Sequence, residues 1–429
     1  MTIPETLDAT TLLSRLRSGA MTAEAAAGLS LDRIAARDDT VGAWVHVDPA
    51  ATITAARAID RLPTKGALHG LPIGIKDVIV TADMPTRYNC ELYANPQRTA
   101  DAACVALLRQ AGALILGKTE TVELASIGRV ARTRNPHALE HTPGGSSSGS
   151  AAAVADGHVP VALGTQTGGS IIRPASFCGV WAIKPSWGLV STEGAKPFAP
   201  SLDTIGWFGR SAADLALILD VLAPVPTPVA TIDPAKLNIA VWRTPGWLRA
   251  ERATIDAMAT TIAALRRVGA QVTEVALPPQ FDGLGQAQWT VMLAEGQRSF
   301  LTEYRRDASR LHPRIARMVE DGGGFSSGDL RAAYDLAAAA RATFDSIAAG
   351  YDAVLAPSTI AEAPHGLAQT GDLLFNGLFT LLHVPCVNMP FHRAANGLPV
   401  GLTLTGPRFA DARVIAVAAA VADACRTAA

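Results

Sequence analysis

Apolar residues recur every three to four positions through residues 7–60, as at Leu12, Leu13 and Leu16 and again from Ala51 to Ile59. That spacing predicts helices. Pro63 and Gly66 break it. Leu71 to Val80 then forms a nearly continuous apolar run of β character with one lysine, Lys76, inside it. A helix over about 101–111 and a strand over Ala113–Leu116 are predicted next. Two apolar runs, Ala151–Ala155 and Val159–Leu163, read as buried elements. Trp181–Pro185 reads as a short strand, Ser201–Gly206 as a turn, Ala212–Leu222 as a helix and Pro224–Pro234 as a loop. Leu237–Trp242, a helix over about 250–268 and a strand near 271–276 make a βαβ pattern. Residues 285–350 read as mostly helical, and Tyr351–Pro357 as a buried strand. Cys386–Pro390 and Leu398–Leu404 read as paired late strands, before an Ala-rich closing helix. The prediction is one α/β domain over residues 1–429, with N-terminal helices to about 60, a core over about 65–215 and a C-terminal part over about 235–429.

Composition narrows the functional classes. The chain has 429 residues, 49% apolar and only 17% charged, below the usual quarter, which predicts a large buried core. The formal net charge of −1 gives no footprint for nucleic acid or an acidic membrane surface. The apolar runs are too short and too interrupted for a transmembrane helix. The N-terminus lacks the basic start and apolar stretch of a signal peptide. The five cysteines are scattered and never in a CxxC pair, which fits a reducing cytoplasm. No zinc spacing occurs, so no metal and no cofactor are expected.

Candidate chemistry gathers in residues 142–175. Two clusters, Gly144-Gly145-Ser146 and Gly168-Gly169-Ser170, flank the buried runs. Glycine lets backbone approach a ligand and leaves N–H groups free for negative charge. A serine hydroxyl needs a base to become a nucleophile, and the nine histidines offer no obvious partner for these serines. A buried lysine can be that base. Lys76, walled by Ile73, Ile75, Val78 and Ile79, is the candidate; the structural alternative is a strand-end lysine in water or paired with Asp77. Ser146 is placed to relay a proton, or Ser146–Ser150 merely cap a helix starting at Ser150. Two motif matches are decoys. Gly112–Thr119 has the P-loop spacing, but its variable residues read as a strand, which leaves Lys118 structural. Gly145–Gly149 has the nucleophile-elbow spacing around Ser147, but no strand precedes it.

Together Gly70-Leu-Pro-Ile-Gly-Ile-Lys-Asp, Ala111 to Thr119, Asn135-Pro136, Thr142-Pro-Gly-Gly-Ser-Ser, Gly164-Thr-Gln-Thr-Gly-Gly-Ser and Phe177-Cys-Gly-Val resemble the amidase signature family. Weaker echoes are Ser201-Leu-Asp-Thr-Ile-Gly, Asp352–Pro357 and Gly397-Leu-Pro-Val-Gly. The resemblance implies a large mixed twisted β-sheet covered by helices on both faces. It implies a Ser-cisSer-Lys triad of nucleophile Ser170, bridging Ser146 on a cis peptide, and neutral base Lys76. It places an oxyanion hole at the backbone N–H groups of Thr167, Gly168, Gly169 and Ser170. The implied reaction is hydrolysis of a small-molecule amide through an acyl-enzyme, in a protein that can be a homodimer. Ser148, Gln166 and Arg173 depart from the broad pattern and resemble the malonamidase branch. There Arg173 would clamp a substrate carboxylate; alternatively it pairs with a structural carboxylate or backbone carbonyls. Asn89-Cys90 and residues 127–134 follow no family pattern, so the substrate is less determined than the machinery. The alternatives are an aryl-amide, ester or carbamate hydrolase, and an amidotransferase subunit.

Overall fold

The computed structural model describes residues 7–95, 100–223 and 231–427. The chain opens with α1 (Ala9–Ser18), α2 (Ala23–Val41), β1 (Trp44–Val47) and α3 (Pro49–Asp60). Then come β2 (Pro72–Lys76), α4 (Ala103–Gln110), β3 (Leu114–Thr119), α5 (Ser148–Ala155), β4 (Val161–Gln166) and α6 (Ile172–Cys178). The middle holds β5 (Trp181–Lys184), β6 (Thr204–Gly209), α7 (Ala212–Leu222), β7 (Asn238–Val241), α8 (Arg252–Arg267) and β8 (Gln271–Glu274). Four helices follow: α9 (Leu284–Ser299), α10 (Leu301–Asp307), α11 (Pro313–Asp321) and α12 (Ser327–Ala348). The chain closes with β9 (Ala353–Pro357), α13 (Gly377–Leu381), β10 (Cys386–Arg393), β11 (Pro399–Thr405) and α14 (Asp411–Thr427).

Among the described residues eleven strands form one sheet, ordered β1-β3-β2-β4-β6-β5-β10-β11-β9-β7-β8. The sheet is mixed: β2 runs parallel to β3 and β4, and β10 antiparallel to β5 and β11. Successive side chains on a strand point to opposite faces, and this alternation builds two cores. Ile75, Leu163, Ile183, Ile205 and Trp207 face one core with α1, α2, α4, α7, α8 and α14. Ala162, Ala182, Phe208, Ala240 and Ala356 face the other with α5, α6, α9, α11, α12 and α13. The second face carries mostly small residues, so the Ala-rich α5 lies close against it. A Cβ on Gly149 would stand 2.2 Å from the Ala43 carbonyl oxygen.

The pairing of β2 with β4 places the chemistry. The two strands are parallel neighbours, so their C-terminal ends, at Lys76 and Gln166, emerge at the same edge. Ile73 and Ile75 face the first core, which turns Lys76 toward α5 and α6.

Several boundaries differ from the sequence reading. The stretch 7–60 is not all helix, because the four residues of β1 pair with β3; so short a strand between helices leaves no periodic signal. The apolar run 71–80 ends as a strand at Lys76, where the N–H groups of Val78 and Ile79 fold back onto the Lys76 carbonyl. The strand at 113–116 continues to Thr119, so the P-loop match lies largely within a strand. The predicted turn 201–206 is a turn only in its first half; Thr204 opens β6. The predicted loop 224–234 lies outside the described residues at 224–230. No described helix is long and apolar enough to cross a membrane.

The N-terminal helices are tied to the β2–β4 half of the sheet through Asp156, at the C-terminal end of α5. Its fully buried carboxylate pairs with Arg33 and Arg37, each at 3.1 Å, and accepts from His158 Nε2 at 3.0 Å. Burial works to raise its pKa, but the His158 and Arg37 hydrogen bonds and nearby charges win and hold it below the ordinary 3.8. A depressed carboxylate pKa adds stability that is present above the unfolded value and lost as pH falls through the folded one. Asp156→Ala strands two arginines, and the expected loss is about 3–5 kcal/mol at neutral pH. Urea unfolding should show that loss, with the gap from the parent closing only below pH 3.8.

Candidate active site

Lys76 is fully buried, and its Nζ meets only neutral oxygens. It lies 2.8 Å from Ser146 Oγ, 3.0 Å from Ser147 Oγ and 2.7 Å from Thr165 Oγ1. Burial drives the Lys76 pKa well down, opposed in part by the charge of Asp203. The alternative pairing with Asp77 does not occur. Asp77 instead sits 3.2 Å from the buried Lys118 and accepts from the N–H groups of Arg87 and Tyr88.

The hydroxyl protons around Lys76 can be counted. Ser147 Oγ donates to the Thr165 carbonyl at 3.1 Å and accepts from the Thr165 N–H at 3.2 Å. Its one proton is spent, so Lys76 must donate to it. A neutral amine has two N–H donors and one lone pair. Donation to Ser147 and Thr165 leaves the lone pair for the Ser146 hydroxyl.

The peptide between Gly145 and Ser146 is cis. Gly144 before it has φ +82°, and a Cβ there would stand 2.7 Å from Pro174 Cα; both conditions call for glycine. The alternative reading of this serine run, that it caps a helix, is not what the structure holds. The helix starts at Ser148, and Ser147 at its N-cap makes no side-chain cap bond. Ser148 Oγ donates to the Gly144 carbonyl at 2.8 Å, and Ser150 Oγ to the Leu163 carbonyl at 2.8 Å.

The loop after β4 presents its backbone in a defined sense. Each carbonyl from Thr167 to Ser170 accepts a hydrogen bond. The donors are Gln288 Nε2 at 3.1 Å, Thr380 Oγ1 at 2.7 Å, Arg173 N at 3.0 Å and Ser147 N at 3.3 Å, in chain order. No backbone N–H from Thr167 to Ser170 donates to another described residue. In a trans peptide the N–H points opposite to the carbonyl. The N–H groups of Gly168, Gly169 and Ser170 therefore point away from the groups that hold the loop. The Ser170 hydroxyl has no hydrogen-bond partner among the described residues, and Ser170 lines a cavity of about 550 Å³. Behind the loop, Thr167 Oγ1 donates to Asp203 at 2.5 Å. Burial raises Asp203 to about 6, against the lowering effect of that bond and of the Phe198 and Ala199 N–H groups.

Arg173 is buried beside Ser170, and its guanidinium is occupied. Nη1 donates to the Gly371 carbonyl at 2.9 Å; Nη2 donates to the Gly145 carbonyl at 2.7 Å and to Thr370 Oγ1 at 3.0 Å. Nε has no partner. Of the two sequence readings, pairing with backbone carbonyls is the contact present. The cavity wall carries three arginines, at 129, 173 and 314, with His312 and no Asp or Glu. Phe198, Trp289, Met292 and Leu373 supply its apolar side.

The sequence profile of the amidase family matches residues 26–415. The chain belongs to the amidase signature family. It is 34% identical to the A-subunit of the glutamyl-tRNA(Gln) amidotransferase of Anaeromyxobacter sp. (strain K), over 91% of both chains. A crystal structure of an amidase superposes with TM-score 0.89 at 29% identity, over 97% of this chain and 99% of that one. The native peptide amidase of Stenotrophomonas maltophilia superposes with TM-score 0.83 at 28% identity, over 99% of this chain and 98% of that one. The large mixed sheet with helices on both faces is thus the amidase signature fold.

Within this amidase fold, the residues that depart from the family pattern have definite partners. Gln166 Oε1 accepts from the N–H groups of Ile171 and Ile172 at 2.8 and 3.1 Å, and its Nε2 donates to Thr380 at 2.9 Å. Asn89 Nδ2 donates to the Thr121 carbonyl at 2.9 Å, and burial pushes the neighbouring Cys90 thiol up to about 11. Gly128, Arg129 and Val130, from the individual loop 127–134, line the cavity. Sequence reasoning missed Thr165, Asp203, Gln288 and Thr380. Thr165 and Asp203 lie inside the quoted motifs and were open to notice. Gln288 and Thr380 sit in ordinary helices far along the chain and carry no local signal.

Proposed function

We propose that this amidase-family chain is a serine amidohydrolase that cleaves a carbon–nitrogen amide bond through an acyl-enzyme on Ser170. The observation that carries the reading is the buried Lys76 amine, held by hydroxyls alone and 2.8 Å from Ser146. Lys76 takes the Ser146 proton while Ser146 takes that of Ser170, and the Ser170 oxygen bonds to the amide carbon. Charge developing on the carbonyl oxygen meets the free N–H groups of Thr167, Gly168, Gly169 and Ser170. The proton returns through Ser146 to the nitrogen as the carbon–nitrogen bond breaks. Water then adds to the acyl-enzyme by the same route, releasing the acid and restoring the Ser170 hydroxyl.

Arg314 on the cavity wall, with Arg129 whose guanidinium also meets Glu91 at 2.8 Å, and the absence of carboxylates from that wall favour an amide bearing an anionic group. The apolar side and the cavity size favour an acyl part longer than the shortest carboxyamides, and keep aryl amides, esters and carbamates in the same panel. Arg173 acts here from behind the site, holding the Gly145 carbonyl of the Ser146 peptide.

Sequence identity to the glutamyl-tRNA(Gln) amidotransferases favours a second reading, in which the chain supplies ammonia from an amide within a complex. One measurement separates the two. The purified chain alone, without ATP or tRNA, is expected to release ammonia from adipamate, hexanamide or an anilide, with a transient acyl adduct visible by mass. Turnover of none of these alone, with release from glutamine only when partner chains are added, would favour the second reading.

A further inference from the structure

We infer that Gln166 and Thr380 form a matched pair that positions the Gly168–Gly169 peptide, and through it the N–H of Gly169, for the developing oxyanion. The inference rests on the proposed role of the Ser170 loop and goes beyond it. It names residues outside that loop that set its geometry, and one of them is the departure at position 166.

Proton counting fixes the direction of the bonds. Gln166 Oε1 accepts two backbone N–H groups, at Ile171 and Ile172, so the other end of its amide, Nε2, must face Thr380. Thr380 Oγ1 accepts that N–H at 2.9 Å. Its own proton is then free for the Gly168 carbonyl at 2.7 Å; the alternative acceptor, the Asn376 carbonyl, is farther at 3.2 Å. A carboxylate at 166 has no proton to donate. It would draw the Thr380 proton to itself and release the Gly168 carbonyl. The neutral amide at 166 is therefore what makes Thr380 a carbonyl clamp.

The clamp has a companion. Gln288 Nε2 holds the preceding carbonyl, that of Thr167. Gln288 and Thr380 are both buried, and come from α9 and α13 on the side of the loop opposite its free N–H groups. Buried hydrogen bonds of this kind fix a peptide's orientation before charge develops, which is where oxyanion stabilisation gains its advantage over water.

Thr380 and Gln166 are positioning residues, so the test must separate them from merely structural ones. Kinetics on hexanamide and binding of phenylboronic acid are measured together. The boronic acid forms a bond from the Ser170 oxygen to boron, and one proton passes through Ser146 to the neutral Lys76 amine, which becomes an ammonium. It gives a tetrahedral anion without amide turnover. Removing one oxyanion donor outright costs about 10²–10³ in kcat, so misaligning one should cost about 10- to 100-fold. Thr380→Val is expected to lose that much in kcat with KM nearly unchanged, and to lose boronate affinity in parallel. Thr380→Ser should restore most of both. Gln166→Glu should match Thr380→Val, and the double variant should lose little more than either single one.

Full kcat and boronate affinity in Thr380→Val, or single losses that multiply in the double variant, would overturn the pairing. So would a parent protein that binds no phenylboronate. If the parent binds boronate in a Thr380-dependent way yet releases no ammonia from any amide alone, amide hydrolysis by the lone chain fails while the clamp stands.

Discussion

Ser170→Ala should abolish amide and ester turnover, lowering kcat by about 10⁶, as when a serine nucleophile is removed from a catalytic unit. The protein should otherwise be unchanged. The Ser170 hydroxyl has no hydrogen-bond partner among the described residues, so nothing buried is left unsatisfied. The backbone bonds from Arg173 N to the Gly169 carbonyl and from Ser147 N to the Ser170 carbonyl do not involve the side chain. Unfolding free energy should stay within about 0.5 kcal/mol of the parent. Urea unfolding and ammonia release on the same preparation check both halves. Normal turnover in Ser170→Ala would remove the nucleophile from the proposal and turn attention to Ser147, which Lys76 also touches.

Lys76→Met should be the second large effect, and its two consequences run in opposite directions. Catalysis should fall by several orders of magnitude, because among the described residues Lys76 is the base in hydrogen-bond contact with Ser146. Folding should not suffer in the same way. A lysine whose folded pKa lies below its unfolded value binds fewer protons when folded than unfolded. In the window between those two pKa values the parent's stability rises with pH and is reduced toward lower pH. Methionine removes that pH-dependent cost and fills similar volume, although Thr165 Oγ1 loses its Lys76 contact. The expected result is an inactive protein at least as stable as the parent at pH 7, with the difference narrowing toward pH 10.5. Thermal unfolding across pH, beside kcat, tests it. A large stability loss with activity retained would make Lys76 structural.

The same sign governs the parent's activity profile. Protonated Lys76 cannot accept from Ser146, so kcat/KM should fall as pH drops through its folded pKa. Asp203, raised to about 6, adds an influence from behind Thr167. Its ionised form favours the ammonium, and protonating it on the acid side favours the neutral amine.

How much of the site was legible differs residue by residue. Lys76, Ser146 and Ser170 stood out because each lies in a short motif of unusual composition, and the glycines around them have a backbone meaning that sequence alone conveys. Lys118 was rightly set aside, since the strand reading of its neighbours already denied it a phosphate loop. Arg173 could not be settled from the chain: whether a guanidinium meets a carbonyl or a ligand depends on where the 370–371 segment lies. Of the two readings of the serine run, helix capping is the usual local use of such residues, and the chain alone left it open beside the relay. Here β4 and Lys76 compete for the same hydroxyls and take them.

The sequence by itself determined the family, most helices and strands, and the candidate residues for the proposed acyl transfer, because periodicity and motif spacing are local properties of the chain. Only the tertiary structure decided how those residues meet. The parallel pairing of β2 with β4 brings Lys76 to the serines. The small-residue face of the sheet lets α5 lie close enough to complete its hydroxyl cage. Helices α9 and α13 reach the Ser170 loop from more than a hundred residues away and hold its Thr167 and Gly168 carbonyls. Those contacts depend on sheet order and helix packing, which no local window of sequence encodes.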